Sequence, residues 1–446
     1  MLVEILSGER YTPFSLAKKF GAKAVLESAS FTGGKDRYSI LMLDEAFRVI
    51  QDDDGVAFIV NGERRSVYLM KDGDILDVLQ EIAAENRPEQ GADVDFPLPA
   101  AGIGYLSYEF CAHCDTIRLE KQNDTLKIPE SAFIVGHTFI VFDHFSEKIY
   151  ICAQNYKEHE IDLQAAVDIV KKRLVDLDFS YMAEPETDFS STVITDIQQS
   201  HDEYVEKVIA LKKRIRAGDI IQAVPSRRLQ IKNDIPALEV YRRLRSVNPS
   251  PYLFYLDFGD FQFTGASPES LVRVRNGKTA IHPIAGTRRR GKNSAEDEKL
   301  REELLNDPKE KAEHLMLVDL ARNDLGRVCQ AGTVEVTRFM TTELYSHVIH
   351  LVSEVTGKIF DGEQAVKVLR SAFPAGTVSG APKINAVEIL SGLEKERRNF
   401  YAGAVGYITA DNALDFCIAI RCAVKKAGVW NLQAGGGIVN ASDPER

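Results

Sequence analysis

Strand-like runs follow one another too closely in this chain to be joined by helices, and that spacing limits the fold more than any other feature. GIGYLSYEF (102–110) and SAFIVGHTFIVFDH (131–144) read as strands, and KIYICAQN follows the second after a turn. Such short connections form hairpins and antiparallel sheet rather than βαβ units. Further strand-like runs lie at 219–231, 252–258, 261–266, 270–275 and 279–285. Two helices are expected next, 294–305 and 308–322, the second with Asp307 at its N-cap and Pro308 in its first turn. The chain then returns to strands at GAVGYIT, LDFCIAIR and VWNLQA. Helical spacing also appears over 162–177 and in a helix opened by Ser200, where Glu203 completes a capping box. Residues 181–199 are polar and acidic with a proline, the expected linker between a region 1–180 and a region 200–446. The expected class is α+β with mostly antiparallel sheet.

Composition removes several functional classes. Lys and Arg total 55 against 66 Asp and Glu, a net charge of −11, which argues against a nucleic-acid partner while leaving room for a local anion site. No apolar run approaches the roughly 20 residues that span a bilayer. The first apolar stretch is interrupted by Glu4, unlike a signal peptide. Six scattered cysteines make no disulfide framework. A cytoplasmic protein without a membrane or nucleic-acid partner is expected.

Several motifs have both a bland and a chemical reading. Cys111 and Cys114 form a CxxC, but a structural zinc needs four ligands and no second pair exists. Gly286 to Lys292 nearly spells a phosphate loop, except that Asn293 replaces the Ser or Thr that would hold Mg²⁺ and three arginines crowd the cradle. An anion-binding turn of another kind stays open there. Glu310 and Glu313 lie one helical turn apart, either a solvated face or carboxylates for a hard metal. His347 and His350 fall on opposite faces of a strand or nearly one face of a helix. In FPAGTVSGAPKINAVEIL, small residues lead into a helix with Pro382 in its first turn, and its free amides, aided by Thr377, suit a carboxylate. In LDFCIAIR, period-two alternation puts Asp415, Cys417, Ala419 and Arg421 on one face, with Arg421 able to pair with a carboxylate. Gly435, Gly436 and Gly437 allow close backbone approach or supply a turn. Together these features describe a small di-anionic substrate and a divalent metal.

Taken in order, the segments resemble the chorismate-utilising enzymes, and within them the anthranilate synthase branch. The resemblance is carried by VLESAS (25–30), GDIIQAVPSRR (218–228), NPSPYLFYLDFGDF (248–261), GASPESLVRV (265–274) and HPIAGTRRRG (282–291). It continues through DPKEKAEHLMLVDLARNDLGRVC (307–329), SHVIHLVSEVTG (346–357), FPAGTVSGAPK, FYAGAVGY, LDFCIAIR and AGGGIVNASDPE, covering nearly all of 200–446.

The resemblance implies two facing, largely antiparallel β-sheets, a β-sandwich flanked by helices, with the active site between them. It implies chorismate as substrate, held by Gly286, Thr287, Thr377, Tyr401, Arg421 and Gly435 to Gly437, with Glu313 coordinating Mg²⁺. Ammonia would add at C2 as the C4 hydroxyl leaves, and pyruvate would then be eliminated to give anthranilate. His350 and Glu269 are the implied catalytic pair, with the proton donor left open between them. Ala285 stands where aminodeoxychorismate synthases carry a nucleophilic lysine, and Gln222 where isochorismate synthases carry a water-activating one; both favour direct amination. The alternatives are aminodeoxychorismate synthase and a weakly active chorismate- or tryptophan-binding regulatory subunit. Glu27 and Ser28, with Asn248, Pro251, Tyr252, Leu253 and Cys417 opposite, are the implied site for tryptophan as feedback inhibitor. Cys417 and Arg421, on one strand face, would link inhibitor and substrate sites. A separate glutamine amidotransferase subunit would supply ammonia, making a hetero-oligomer. Relatives carry a second Mg²⁺ carboxylate one residue beyond Arg446, with Glu445 two positions off, so a C-terminal truncation is expected.

Overall fold

In this computed structural model the described residues are 1–29, 37–69, 73–87, 96–176, 178, 180–182, 189–345 and 348–444. Two large sheets carry the fold, and every ladder between their neighbouring strands is antiparallel. One runs in the order Leu2–Ser7, Lys148–Ala153, Thr138–Asp143, Tyr38–Met42, Ala24–Glu27, Tyr252–Asp257, Phe261–Ser267, Cys422–Lys426, Val429–Gly435, Ser226–Lys232, Thr192–Val193. The other runs Ile284–Arg289, Val348–Lys358, Lys278–Ile281, Ser270–Arg275, Leu414–Ile418, Ala404–Ile408, Ile103–Leu106, Ser131–Val135, Phe47–Asp52, Gly55–Val60, Glu63–Ser66, with Glu335–Leu344 also paired to Val348–Lys358. Their facing surfaces meet in one apolar core. Tyr105 of the second sheet stands edge-on to Phe258, Phe261 and Phe263, which flank or belong to strands of the first.

Both large regions of the sequence feed both sheets, so residues 1–180 and 200–446 share this core. Helices Pro13–Phe20, Leu163–Val175 and Ala237–Val247 cover the outer face of the first sheet through a second apolar cluster. Helices Ser294–Asn306 and Pro308–Gly326 lie against the second sheet, where Leu304 packs with Ile349 and Leu351. The α+β sandwich expected from the sequence is therefore the fold. No helix among the described residues is long and apolar enough to cross a membrane.

Local expectations fared unevenly. Asp307 caps its helix as expected, its side chain accepting from the amides of Lys309 and Glu310. The helix expected to open at Ser200 instead spans Ile197–Ala217 and is capped by Asp196, which accepts from Gln199 N, so it begins inside the expected linker. The 131–144 run is two strands in different sheets. The chain crosses over at Gly136, where a Cβ would lie 2.5 Å from Met42 Cγ and 2.8 Å from the Asp44 carbonyl. Strand Leu414–Ile418 stops before Arg421, which takes a left-handed φ of 52°. Alternation therefore does not run through to Arg421, and the shared face with Cys417 is absent.

Candidate active site

A bulge builds the first wall of the site. Strand Ile284–Arg289 pairs with Val348–Lys358, but the register shifts between Ala285 and Thr287, leaving Gly286 as the extra residue at φ 68°. Only glycine takes that conformation without strain. A side chain there would also meet Leu304 Cδ1 at 3.0 Å and Glu310 Oε2 at 3.1 Å. The bulge turns the Gly286 carbonyl toward His350, whose Nδ1 lies 3.0 Å from it and 3.2 Å from Thr287 Oγ1. A carbonyl only accepts, so Nδ1 carries the proton and Nε2 keeps its lone pair. Burial lowers the His350 pKa, which keeps the ring neutral. His347 lies outside the described residues.

Glu269 occupies the turn between strands Phe261–Ser267 and Ser270–Arg275. Its backbone is fixed on both sides, with Ile418 N donating to its carbonyl (3.0 Å) and its own amide donating to Ser267 Oγ (3.3 Å). The side chain is 9% exposed, and burial pushes its pKa up to about 8 against the opposing pull of Thr377 and Arg421. At neutral pH it is therefore an acid with a proton to give. Thr377 sits in the short turn Gly376–Val378, and its Oγ1 is buried without a hydrogen-bond partner. The helix start expected to assist it is separate: that helix begins at Lys383, whose Nζ pairs with Asp324 at 2.9 Å. Arg421 remains open to solvent, and its charge bears on both Glu269 and His350.

The glycine run forms another wall. Gly435 ends its strand opposite Ser226, and a Cβ there would stand 3.1 Å from the Tyr401 hydroxyl. At Gly437 a Cβ would fall 2.6 Å from Gln222 Nε2, so close approach accounts for this glycine. Two tyrosines went unnoticed in the sequence. Tyr345 stands edge-on to His350 with ring centroids 5.1 Å apart, and the Tyr204 hydroxyl lies 3.4 Å from the position a Gly436 Cβ would take. Tyr204 was concealed because its helical spacing assigns it to an apolar face; nothing around Tyr345 marks it out.

Glu313 is half-buried on helix Pro308–Gly326, and its pKa is raised by burial and by Glu310. Glu310 is held by Arg288 (3.1 Å), which also pairs with Asp307 (2.7 Å). No group of three or more His, Cys, Asp and Glu that could hold a metal exists among the described residues. A carboxylate with no ion pair among the described residues, destabilised as an anion by burial and a like charge, suits the one or two protein oxygens that Mg²⁺ takes. Glu445 and Arg446 lie outside the described residues. The anion turn left open at Gly291 and Lys292 is filled from within: their amides donate to Asp297 (2.7 Å) and Glu296 (2.7 Å). Cys111 and Cys114 bound a four-residue helix with Cys111 buried.

The residues expected to hold tryptophan divide between the outer face of the first sheet and the core between the sheets. Glu27 pairs with Leu253 across neighbouring strands, and Leu253 packs into the outer cluster. The Glu27 carboxylate accepts from the Tyr241 hydroxyl (2.7 Å) and pairs with Arg245 (3.1 Å), both on helix Ala237–Val247. Tyr252 and Cys417 instead pack against the inter-sheet core, where the Tyr252 hydroxyl donates to Asp415 (2.9 Å). Asn248 Nδ2 donates to the Ala266 carbonyl (3.3 Å), while Ser28 and Pro251 are half-buried nearby in the chain.

A family model described as chorismate binding enzyme matches residues 32–446. Anthranilate synthase component 1 of Spirochaeta aurantia is 51% identical, over all of this chain and 92% of that protein. The protein of that name from Cereibacter sphaeroides is 40% identical, over 99% of this chain and 90% of its own length. The crystal structure of anthranilate synthase component I from Streptococcus pneumoniae superposes with a TM-score of 0.81 at 34% identity, covering 93% of this chain and 90% of that one. The menaquinone-specific isochorismate synthase of Escherichia coli, at 19% identity and TM-score 0.72, covers all of this chain and 90% of its own and shares the fold. The chain belongs to the chorismate-binding enzymes, with anthranilate synthase component 1 proteins among its relatives.

Proposed function

We propose that this chain is the large component of an anthranilate synthase. The observation that carries the mechanism is the placement of two buried titratable groups, Glu269 in the turn fixed by Ser267 and Ile418 and His350 held through Nδ1 by the Gly286 carbonyl, with burial raising the first and lowering the second. Chorismate would lie between them, its carboxylates met by Arg421, Thr287, Thr377 and the backbone of Gly286 and Gly435 to Gly437, with Tyr401 at the glycine wall. Glu313 would hold Mg²⁺, which would supply charge neutralisation and Lewis-acid polarisation of the substrate.

In the first step the C2–N bond forms and the C4–O bond breaks. Glu269 gives its proton to the departing hydroxyl, which leaves as water, and His350 Nε2 takes one from the incoming ammonia. In the second step C2–H and C3–O break. The C2 proton returns Glu269 to its acid form, and the enolpyruvyl group leaves with the bonding pair and takes the His350 proton to become pyruvate. Both groups are then reset. Ala285 offers no nucleophile and Gln222 no base, consistent with direct attack by ammonia. An amidotransferase partner would deliver that ammonia, and the pair would work in the cytoplasm.

The test is fluorescence of anthranilate from chorismate, ammonium and Mg²⁺, with EDTA as control. Anthranilate formation supports the reading. A 4-amino product would assign the chain to aminodeoxychorismate synthesis, and tryptophan binding without turnover would make it a regulatory subunit. Tryptophan inhibition at Glu27, Ser28, Asn248, Pro251, Tyr252, Leu253 and Cys417 belongs to the same proposal. An amino-acid ammonium would have to share Glu27 with Arg245. Ser28→Ala should weaken inhibition, and unchanged inhibition in that variant would count against this site.

A further inference from the structure

Arg398 is 1% exposed, and the mechanism above gives it no role. Its guanidinium nevertheless bonds in three directions. Nε and Nη2 form a fork on Glu394 (2.7 and 2.9 Å), Nη1 donates to the Val378 carbonyl (2.9 Å) and Nη2 to the Val224 carbonyl (2.6 Å). The Tyr108 ring stacks 4.3 Å from the guanidinium carbon. The Arg398 and Asn399 amides donate to the two oxygens of the buried Glu109 carboxyl (2.7 and 3.0 Å).

Each partner sits beside a substrate-binding position. Val378 follows Thr377. Val224 follows Ala223, which pairs with Gly380 on one side and exchanges backbone bonds with Ile438, next to Gly437, on the other. Glu394 Oε1 also accepts from the amide (2.7 Å) and hydroxyl (2.9 Å) of Ser226, the register partner of Gly435. Tyr401 N donates to the Arg398 carbonyl (3.3 Å). The Arg398 side chain thus ties the turn to the glycine strand, and its backbone carbonyl holds the tyrosine that the proposed function assigns to substrate.

We propose that Arg398, fixed by Glu394 and Glu109, is a positioning residue that sets the spacing between the Thr377, Tyr401 and Gly435–Gly437 walls of the substrate pocket. This rests on the chorismate reading of that pocket. A planar fork is needed because three segments must be held from one centre; the ammonium of lysine is a point charge on a flexible stem and cannot span them. Displacing a binding group by about 1 Å costs on the order of 10²-fold in catalytic efficiency. The effect should therefore appear in substrate affinity as well as in stability.

The experiment measures anthranilate formation by wild type, Arg398→Lys and Glu394→Gln, each at a temperature where circular dichroism shows it folded. Arg398→Lys is expected to raise KM for chorismate at least tenfold, with a smaller fall in kcat, and Glu394→Gln to change KM in the same direction by less. A folded Arg398→Lys with KM within twofold of wild type would overturn the proposal even if its Tm had dropped. Wild-type protein that makes no anthranilate would instead break the functional reading. If Arg398→Lys fails to fold, Glu394→Gln decides by the same criterion. If neither folds, hydrogen exchange on the wild type decides: joint opening of 222–226, 376–378 and 435–438 supports a common tether, and independent opening overturns it.

Discussion

Glu269 and Arg398 are both ionisable side chains buried next to the turn that carries Thr377 and Val378, and the protein treats them in opposite ways. Arg398 has a partner for its charge and carbonyls for its remaining hydrogen-bond directions. At Glu269 only Thr377 and Arg421 oppose desolvation, and burial outweighs them. Burial with a paired charge keeps the Arg398 guanidinium ionised and stiffens its surroundings. Burial that outweighs its partners drives Glu269 toward its neutral form and leaves a proton available for chemistry. The molecule therefore uses one physical cost, desolvation, for rigidity on one side of the pocket and for reactivity on the other.

The comparison breaks first at Glu269. Glu269→Gln keeps the shape and removes the proton, so kcat should fall by about 10²–10⁴-fold with little change in KM and no loss of Tm at neutral pH; anthranilate fluorescence and a melting curve check both. Loss of stability instead of turnover would put Glu269 in the same class as Arg398. Arg398→Met should cost about 3–5 kcal/mol in chemical unfolding, because it leaves Glu394 charged and buried. Adding Glu394→Met should recover part of that stability while KM stays raised, which separates the charge from the positioning.

A weaker effect is expected at Glu313. Glu313→Gln should raise the Mg²⁺ concentration for half-maximal rate roughly tenfold or more, since one carboxylate of a small ligand set is lost. A titration of rate against Mg²⁺ that superposes on wild type would remove Glu313 from the metal site.

The pH dependence of stability follows from the same acid. Glu269 has a native pKa of about 8 against an ordinary 4.5. Between those values the native state holds more protons than the unfolded one, so stability should fall as pH rises from about 4.5 to about 8 and then level off. Glu269→Gln should flatten that decline. Glu109, raised by burial to about 7, should contribute a decline that ends earlier. The rate per free ammonia should fall above about pH 8 as Glu269 ionises, and its acid limb should lie below the ordinary histidine value of 6.5 because burial lowers His350.

Much of the fold was legible because its signals are local. Asp307 followed by Pro308 marks a helix start from adjacent residues alone, and the structure caps that helix with the same side chain. Misreadings arose where a distant neighbour decided. The strand pattern of SAFIVGHTFIVFDH runs unbroken, yet Met42 and Asp44 crowd Gly136 and the chain changes sheet there. Ser200 and Glu203 spell a capping box, but Asp196 is free to cap one turn earlier, and Glu203 pairs with Lys395 instead. In the site, the motif glycines and Glu269 could be named in advance, whereas Arg398 sits in KERRNF, a run of charges with the look of a solvated surface.

The sequence by itself determined the antiparallel α+β class, the order of its elements and the residue types a dianionic substrate requires. Those follow from spacing, periodicity and the motifs shared with the chorismate-utilising enzymes. Only the tertiary structure sets the opposite directions in which the Glu269 and His350 pKa values move, because each depends on the burial contributed by segments far apart in the chain. It also decided that Arg421 leaves its strand and that Arg398 lies inside. Chain direction and desolvation at a point are properties of packed neighbours, and no single stretch of sequence contains them.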